Sequence, residues 1–103
     1  MTINVHMLSF YKDRSVIRTV NIPDNLNEQE EILEATFKYG QNDFQPLKIC
    51  SVSVGDVAEL NGKYFMCMGI GWKELSKEEF DALIPPTSKY AHNPDNFKKY
   101  VAA

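Results

Sequence analysis

The dipeptide Asn61-Gly62 narrows the possible folds of this chain more than any other pair of residues. It separates two apolar runs, residues 57–60 and 63–68. A type I′ turn needs a positive φ at both of its central positions, and Asn and Gly adopt that conformation at the lowest cost. The sequence therefore predicts a tight antiparallel hairpin in the middle of the chain.

Three further stretches are predicted to be extended. Residues 3–7 alternate between apolar and polar side chains, and residues 16–22 form a β-branched stretch after a short polar turn at residues 12–14. Two such stretches so close together favour antiparallel pairing. Residues 47–54 alternate more weakly and are interpreted as another strand.

Two helices are predicted from their end signals. Asn27 with Glu30 resembles a capping box, and Gly40 is interpreted as a left-handed C-cap. Ser76 and Glu79 form a second capping box, which begins a shorter helix. The inward-facing residues of the first helix are predicted to be Ile32, Leu33, Thr36 and Phe37.

The order of these elements predicts the fold class. At 103 residues the chain has room for one hydrophobic core. The order ββα–βββα is typical of an α+β domain, here with both helices on one face of a mainly antiparallel sheet of about five strands. We expect residues 1–84 to form this single domain, and residues 85–103 to form a polar, partly flexible tail with three lysines and one aspartate.

The charge of the chain argues against a broadly basic surface. The chain has 11 Lys and Arg against 14 Asp and Glu, a net charge of −3. Proteins that hold nucleic acid irrespective of its sequence use an excess of positive charge. Four glutamates cluster in the first helix and are interpreted as its solvated side: Glu28, Glu30, Glu31 and Glu34.

Cys50 and Cys67 stand in apolar segments without the C-x-x-C or His spacing of a metal site. Reduced thiols in a cytoplasmic protein are the favoured interpretation, although a disulfide is geometrically possible if their strands adjoin. The chain begins without a signal-like segment, and no apolar run reaches the length of a membrane span. We therefore expect a cytoplasmic protein with no membrane contact.

No pattern of catalytic residues is recognisable. His6 and His92 stand outside any motif, and both are interpreted as structural. The segment Gly69-Ile70-Gly71 lacks the third glycine of a dinucleotide-binding loop and predicts a bend or bulge in a strand instead. We expect a protein that is not an enzyme and that uses neither a metal nor a cofactor.

A nucleic-acid-binding surface is the main alternative. Lysines beside aromatic residues on a sheet can hold and stack a single strand. The candidate contacts, centred on the hairpin from residue 63 to residue 73, are Lys48, Lys63, Tyr64, Trp72 and Lys73. Because Tyr64 and Phe65 are adjacent in one strand, they point to opposite faces and at least one belongs to the core. Core residues and a solvated hairpin are therefore favoured over a binding surface.

The pair Gly55-Asp56, between two valines, predicts a tight structural corner. We expect Gly55 to have a backbone conformation that is costly for other residues, or a position too closely packed for a side chain. We expect Asp56 to accept hydrogen bonds from nearby backbone N–H groups. Its replacement by Asn is then expected to preserve the fold largely, because an amide oxygen also accepts.

Residues 51–57, with the sequence Ser-Val-Ser-Val-Gly-Asp-Val, resemble a motif of small phage- and plasmid-encoded proteins near the YodL-like family. The similarity continues at Gly62, Tyr64, Gly71 and Trp72. This resemblance implies an accessory protein of a mobile element without catalytic residues. A weaker likeness, through the same Val-Gly-Asp corner, is to PUA- and ASCH-type small barrels, and it implies RNA as a ligand.

We therefore expect a non-enzymatic binding module that acts through protein–protein contact, with a small nucleic-acid-binding domain as the alternative. The expected partner is another protein or a second copy of the chain. The N-terminal strand has no edge-blocking charge other than His6, and Met7, Leu8, Phe10 and Tyr11 are predicted to expose apolar surface. These residues predict a two-fold symmetric homodimer.

Overall fold

The computed structural model describes residues 1–9, 11 and 15–83. Five strands and two helices follow one another in the predicted order ββα–βββα, which confirms the α+β class. They are β1 Thr2–His6, β2 Ile17–Asn21, α1 Gln29–Tyr39, β3 Val57–Leu60, β4 Lys63–Cys67, β5 Trp72–Leu75 and α2 Lys77–Asp81. The predicted turn at residues 12–14 and the predicted tail at residues 85–103 lie outside the described residues.

The five strands form one antiparallel sheet in the order β2-β1-β3-β4-β5. β1 therefore lies between β2, its neighbour along the chain, and β3, which the chain reaches after α1. The β3–β4 hairpin is closed by the pair Leu60 and Lys63, and Asn61 and Gly62 have φ values of 53° and 77°. Both turn residues thus have the positive φ of a type I′ turn, which confirms the predicted hairpin.

The fifth strand is not the predicted one. Residues 47–54 contain no strand, and β5 completes the sheet instead. The chain enters β5 through a tight turn at residues 69–70, closed by a hydrogen bond of 3.0 Å from the backbone N–H of Met68 to the carbonyl of Gly71. Gly71 has a φ of 70°, which glycine adopts without strain. The two glycines therefore reverse the chain and do not bend a single strand.

The two helices cover opposite faces of the sheet, so the expectation that both lie on one face is wrong. On the face named here the α1 face, Leu33 of α1 packs in one cluster with Phe65 of β4. On the opposite face, the α2 face, Phe80 of α2 packs in a second cluster with Met66 of β4. Because adjacent residues of β4 are both buried, the central strands need an apolar cover on each side.

The ends of α1 differ from the predicted caps. The helix begins at Gln29, and its N-cap residue Glu28 makes no side-chain capping bond, so the predicted capping box of Asn27 is not formed. Gly40, which follows the last turn, has a φ of −78° and is not a left-handed cap. Its missing side chain serves packing instead, because a Cβ atom at this position would lie 2.5 Å from Cγ2 of Val52.

The capping box at the start of α2 is confirmed. Ser76 Oγ accepts a hydrogen bond of 3.1 Å from the backbone N–H of Glu79, and Glu79 Oε1 accepts one of 3.0 Å from the backbone N–H of Ser76. This exchange satisfies two N–H groups at the helix start. It fixes the direction in which the short helix leaves β5 and reaches the α2 face.

A buried arginine fixes the segment between α1 and β3. Arg18 lies on β2, faces the α1 side and is 1% exposed. Its Nη1 donates to Oδ1 of Asn42 at 2.7 Å and to the carbonyl of Cys50 at 3.0 Å, and its Nη2 donates to the carbonyl of Gln45 at 2.6 Å. These bonds hold residues 41–51 against the sheet in an irregular conformation. In the strand predicted at residues 47–54, the carbonyls of Ile49 and Cys50 accept hydrogen bonds from the side chains of Asn42 and Arg18 and not from a neighbouring strand.

Candidate functional site

A groove opens on the α1 face between α1 and the β4–β5 hairpin. It forms because α1 packs towards the β2 side of the sheet and leaves the β4–β5 side of this face only partly covered. The space has a volume of about 630 Å³. That volume is typical of pockets that hold a ligand or a few side chains of a partner.

The floor of the groove is apolar, and each of its walls contributes apolar side chains. Phe65 of β4 is buried at the floor, and Leu33 is buried at the base of the α1 wall. Phe37, one turn further along α1, is 42% exposed, and Trp72 of β5 is half-buried on the opposite side. Two aromatic side chains thus stand partly open to water, as is common at surfaces that bind other molecules.

Three glutamates surround this apolar floor. Glu30 and Glu34 stand one turn apart on α1, and Glu74 lies on β5 across the groove. All three are exposed, and no lysine or arginine is among the described residues that line the groove. The groove therefore combines negative charge with apolar surface, which favours a positively charged ligand that also has apolar parts.

Cys67 also lines the groove, but its thiol is not prepared for nucleophilic chemistry. Burial, followed by the negative charge of Asp56, raises the pKa of this thiol to about 12. Because the thiolate is the nucleophilic form, a thiol that stays protonated at neutral pH is inert. Within residues 1–9, 11 and 15–83, no group of three His, Cys, Asp or Glu side chains is placed to hold a metal ion.

The predicted corner at Gly55 and Asp56 is hydrogen-bonded to the backbone of Cys67, but neither residue lines the groove. Gly55 has a φ of 97°, which confirms the expected costly backbone conformation. Asp56 is 1% exposed, and its carboxylate accepts hydrogen bonds from the backbone N–H groups of Ser9 at 2.9 Å and Ser53 at 2.8 Å. Burial raises the pKa of Asp56 to about 6, although these hydrogen bonds act in the opposite direction. The geometry is that of a buried structural contact.

The candidate nucleic-acid contacts do not form one patch. Lys63 and Trp72 lie on the α1 face, whereas Tyr64 and Lys73 lie on the α2 face. Lys48 is in the separate segment that Arg18 holds. Trp72 therefore shares its surroundings with the glutamates of the groove and not with lysines 48 and 73.

His6 has a partner that the sequence did not indicate. Its Nε2 lies 3.1 Å from Oε1 of Glu59 on the neighbouring strand β3. The ring of His6 also meets the ring of Phe80 edge-on, with centroids 4.8 Å apart, and Phe80 stacks on Tyr64 at 4.2 Å. These contacts place the His6–Glu59 pair against the aromatic side chains that pack under α2.

The groove was not predicted, although the spacing of its helical residues is visible in the sequence. Glu30, Glu34 and Phe37 follow one another at intervals of four and three residues, which places them on one side of a helix. The sequence interpretation assigns the glutamates to solvent and Phe37 to the core. The structure places all three along one wall, because α1 turns its fully buried residues towards β2 and exposes this side.

No protein-family model, curated protein or solved structure matches this chain. The resemblance of residues 51–57 to YodL-like proteins, and the weaker likeness to PUA- and ASCH-type barrels, therefore stay predictions. Neither helix of the described part of the chain has the length and apolar character needed to cross a membrane.

Proposed function

We propose that this chain is a non-enzymatic binding module that acts through protein–protein contact, with the groove as its contact surface. The observation that carries the proposal is the pair of partly exposed aromatic residues, Phe37 and Trp72, on opposite walls of the groove within a rim of glutamates. Aromatic anchors inside a charged rim are characteristic of protein-binding sites.

The charge of the groove supports a protein partner over a nucleic acid. A phosphate backbone placed against Trp72 would meet the carboxylates of Glu30, Glu34 and Glu74, which repel it. A protein segment can instead present lysine or arginine to the rim and an apolar side chain to the floor. The partner is therefore a protein whose contacting segment is basic.

Affinity capture with the full-length chain tests the proposal. Phe37→Gln removes the aromatic ring from the groove and keeps a residue that forms helices well. Phe44→Gln is the matched control, because Phe44 is 54% exposed and packs on Tyr39 outside the groove. We expect the wild-type chain and Phe44→Gln to capture the same proteins from a lysate of the source organism, and Phe37→Gln to lose them.

Nuclease treatment of the lysate separates the two classes of partner. Capture that persists after the treatment supports protein contact. Two results together would favour the alternative, a small nucleic-acid-binding domain. The Phe37→Gln variant would capture nucleic acid as well as the wild-type chain does, and the captured proteins would be lost when that nucleic acid is digested. Equal capture by both phenylalanine variants would exclude the groove as the contact surface.

Self-association is a second candidate contact, but the described residues predicted to form its apolar surface are not exposed. Met7 and Leu8 are each 1% exposed and Tyr11 is half-buried, so they do not form the exposed apolar surface predicted for them. Phe10 lies outside the described residues. What supports contact at this side of the sheet is Ile17 on the edge strand β2, which is 45% exposed.

An origin in a phage or another mobile element would give the binding module an accessory role, as the YodL-like resemblance implies. The genes that flank this one test that origin directly. Neighbouring integration, replication or capsid genes would support it, and a stable position among housekeeping genes would argue against it.

A further inference from the structure

The strand β5 lies at the edge of the sheet and has outward-facing backbone groups. The hydrogen bond between the N–H of Met68 and the carbonyl of Gly71 sets the register of the β4–β5 pair. In an antiparallel ladder every second residue turns both backbone groups towards its neighbour. Lys73 and Leu75 therefore face β4, and the N–H and C=O groups of Trp72 and Glu74 point away from it.

The opposite edge of the sheet is partly closed by the chain itself. On β2 the side-chain amide of Gln45 accepts a hydrogen bond of 3.1 Å from the backbone N–H of Asn21 and donates one of 2.6 Å to its carbonyl. This amide occupies the outward backbone groups of Asn21, and the β2 backbone remains outward-facing only at Ile17 and Thr19. Arg18 holds the carbonyl of Gln45 and so keeps the amide in place.

The two residues that offer backbone groups on β5 also line the groove. The side chains of Trp72 and Glu74 lie on the α1 face, one in the wall opposite α1 and the other in the acidic rim. A strand added to β5 would place every second side chain on the same face, beside these two. Backbone pairing and side-chain recognition would therefore occur in one continuous site.

Charge decides between the occupants of this edge. A second copy of the chain, paired with β5 across a two-fold axis, would bring Glu74 close to its own counterpart in a groove that already contains Glu30 and Glu34. A basic segment gains attraction from the same three carboxylates. The charge of the groove therefore favours a basic segment of another protein over a second copy of β5.

We propose that an extended segment of a partner protein adds as a sixth strand to β5, with a lysine or arginine beside Glu74 and an apolar residue two positions away beside Trp72. This inference rests on the proposed function, since it specifies how the groove takes its partner. The recognised pattern is a basic residue, any residue and an apolar residue in an extended conformation.

A synthetic peptide with the repeat Lys-Thr-Val-Thr, blocked at both ends, is the probe. Extended, it places lysine and valine alternately on one face, and threonine favours the extended form. The control repeat Lys-Val-Thr-Thr has the same composition but separates lysine and valine onto opposite faces. Trp72 is the only tryptophan of the chain, so its fluorescence reports occupation of the edge. We expect the probe to bind the full-length chain about tenfold more tightly than the control.

Two substitutions at one position separate charge from backbone pairing. Glu74→Gln removes the carboxylate, whereas Glu74→Pro also removes the outward N–H and leaves the ladder to β4 intact. We expect Glu74→Gln to weaken binding of the probe about tenfold, and Glu74→Pro to weaken it about tenfold further. Glu78→Gln on α2, which is exposed on the other side of the sheet, is the control and should bind like the wild-type chain.

Probe peptides with N-methyl groups test the same pairing if Glu74→Pro does not fold. Methylation of alternate residues gives two versions, and only the version with free N–H groups towards β5 should bind.

Equal binding of both versions, equal binding of Glu74→Gln and Glu74→Pro, or no binding of the probe would overturn strand addition. A dimer of the chain that Glu74→Pro dissociates would also overturn it, because a second copy would then occupy the edge. Loss of captured proteins with Phe37→Gln is independent of these results and would still support the groove as a protein-binding site.

Discussion

The backbone N–H of Ser9 donates a hydrogen bond of 2.9 Å to Oδ1 of Asp56, which lies 47 positions further along the chain. The second oxygen, Oδ2, accepts from the backbone N–H of Ser53 at 2.8 Å. One buried carboxylate thus joins the segment after β1 to the corner before β3. Burial favours the neutral form, and the two N–H donors favour the charged form. Burial has the larger effect, because the pKa of Asp56 is raised to about 6.

Stability is therefore expected to fall as the pH rises through the pKa of Asp56. The ordinary pKa of this carboxyl is 3.8, and the folded value is about 6. Between these values the folded chain keeps a proton that the unfolded chain has released, so the free energy of unfolding decreases with rising pH. The contribution of this one group is of the order of 3 kcal/mol. Urea unfolding at a series of pH values measures it.

Asp56→Asn isolates this contribution, because asparagine does not titrate. One amide oxygen can accept from only one of the two N–H groups, so we expect a loss of about 1–3 kcal/mol at low pH, with the fold largely preserved as the sequence predicts. The loss should become smaller towards neutral pH, where the wild-type chain holds a buried charge. If the free energies of unfolding of the wild-type chain and Asp56→Asn differ by the same amount at every pH, the raised pKa of Asp56 is contradicted.

Gly55→Ala is expected to destabilise the same corner. A Cβ atom at this position would lie 2.7 Å from Oγ of Ser9, and the φ of 97° is unfavourable for alanine. Together the close contact and the backbone strain should cost about 1–3 kcal/mol. Gly69→Ala is the control, because a Cβ there would meet nothing within 4 Å and its φ lies outside the left-handed region. Equal melting temperatures for the two variants would count against this account.

Some signals that depend on a few neighbouring residues predicted the correct local structure, although those at the two ends of α1 did not. The turn at Asn61-Gly62 and the capping box of Ser76 and Glu79 need only the residues that form them. The order of the elements followed from such signals and gave the α+β class. The strand Trp72–Leu75 was missed, because the glycines before it are compatible with either a bend or a reversal of the chain.

Features that depend on distant contacts could not be predicted from the pattern alone. Whether α2 lies on the same face as α1 depends on which strands are buried on both sides, and Phe65 and Met66 show this only in the folded sheet. The role of Arg18 depends on the oxygens of residues 42, 45 and 50, which are remote in the sequence. The groove likewise results from the position of α1 over the sheet, which no single helix pattern specifies.

Gly40→Ala tests the packing role that replaces the predicted left-handed cap. Its Cβ would lie 2.5 Å from Cγ2 of Val52 and 2.6 Å from the carbonyl oxygen of Thr36. We expect a loss of about 1–3 kcal/mol from this overpacking. Val52→Ala should relieve part of it, so the double variant should lose less than the sum of the two single losses. Strictly additive losses would contradict a direct contact between the two positions.

Self-association at β2 is tested through its exposed apolar residue. If two copies pair at this edge, Ile17→Lys places a like charge from each copy in the contact and should dissociate the dimer. Light scattering at micromolar concentration measures the mass of both chains. A wild-type mass near 11.8 kDa at every concentration would exclude the predicted homodimer.

Arg18→Met is expected to release the segment that the guanidinium holds. Methionine keeps an unbranched apolar stem in the core, but three oxygens, on Asn42, Gln45 and Cys50, lose their donor. Burial lowers the pKa of Arg18, so removing the buried cation recovers part of its desolvation cost. The lost hydrogen bonds are the larger effect, and we expect a net loss of about 2–4 kcal/mol.

Hydrogen exchange shows whether the loss from Arg18→Met is local. The backbone N–H of Asn42 donates to Oγ of Ser51 at 2.9 Å, and that of Cys50 donates to the hydroxyl of Tyr11 at 2.9 Å. Both amide protons should exchange faster in the variant than in the wild-type chain, while those of the β3–β4 hairpin keep the protection set by global unfolding. Thr19→Met, on the exposed face of the same strand, should change stability by less than about 0.5 kcal/mol. If the amide protons of Asn42 and Cys50 exchange as fast in Thr19→Met as in Arg18→Met, a substitution elsewhere on β2 is enough to release the segment. The guanidinium of Arg18 is then not what holds it.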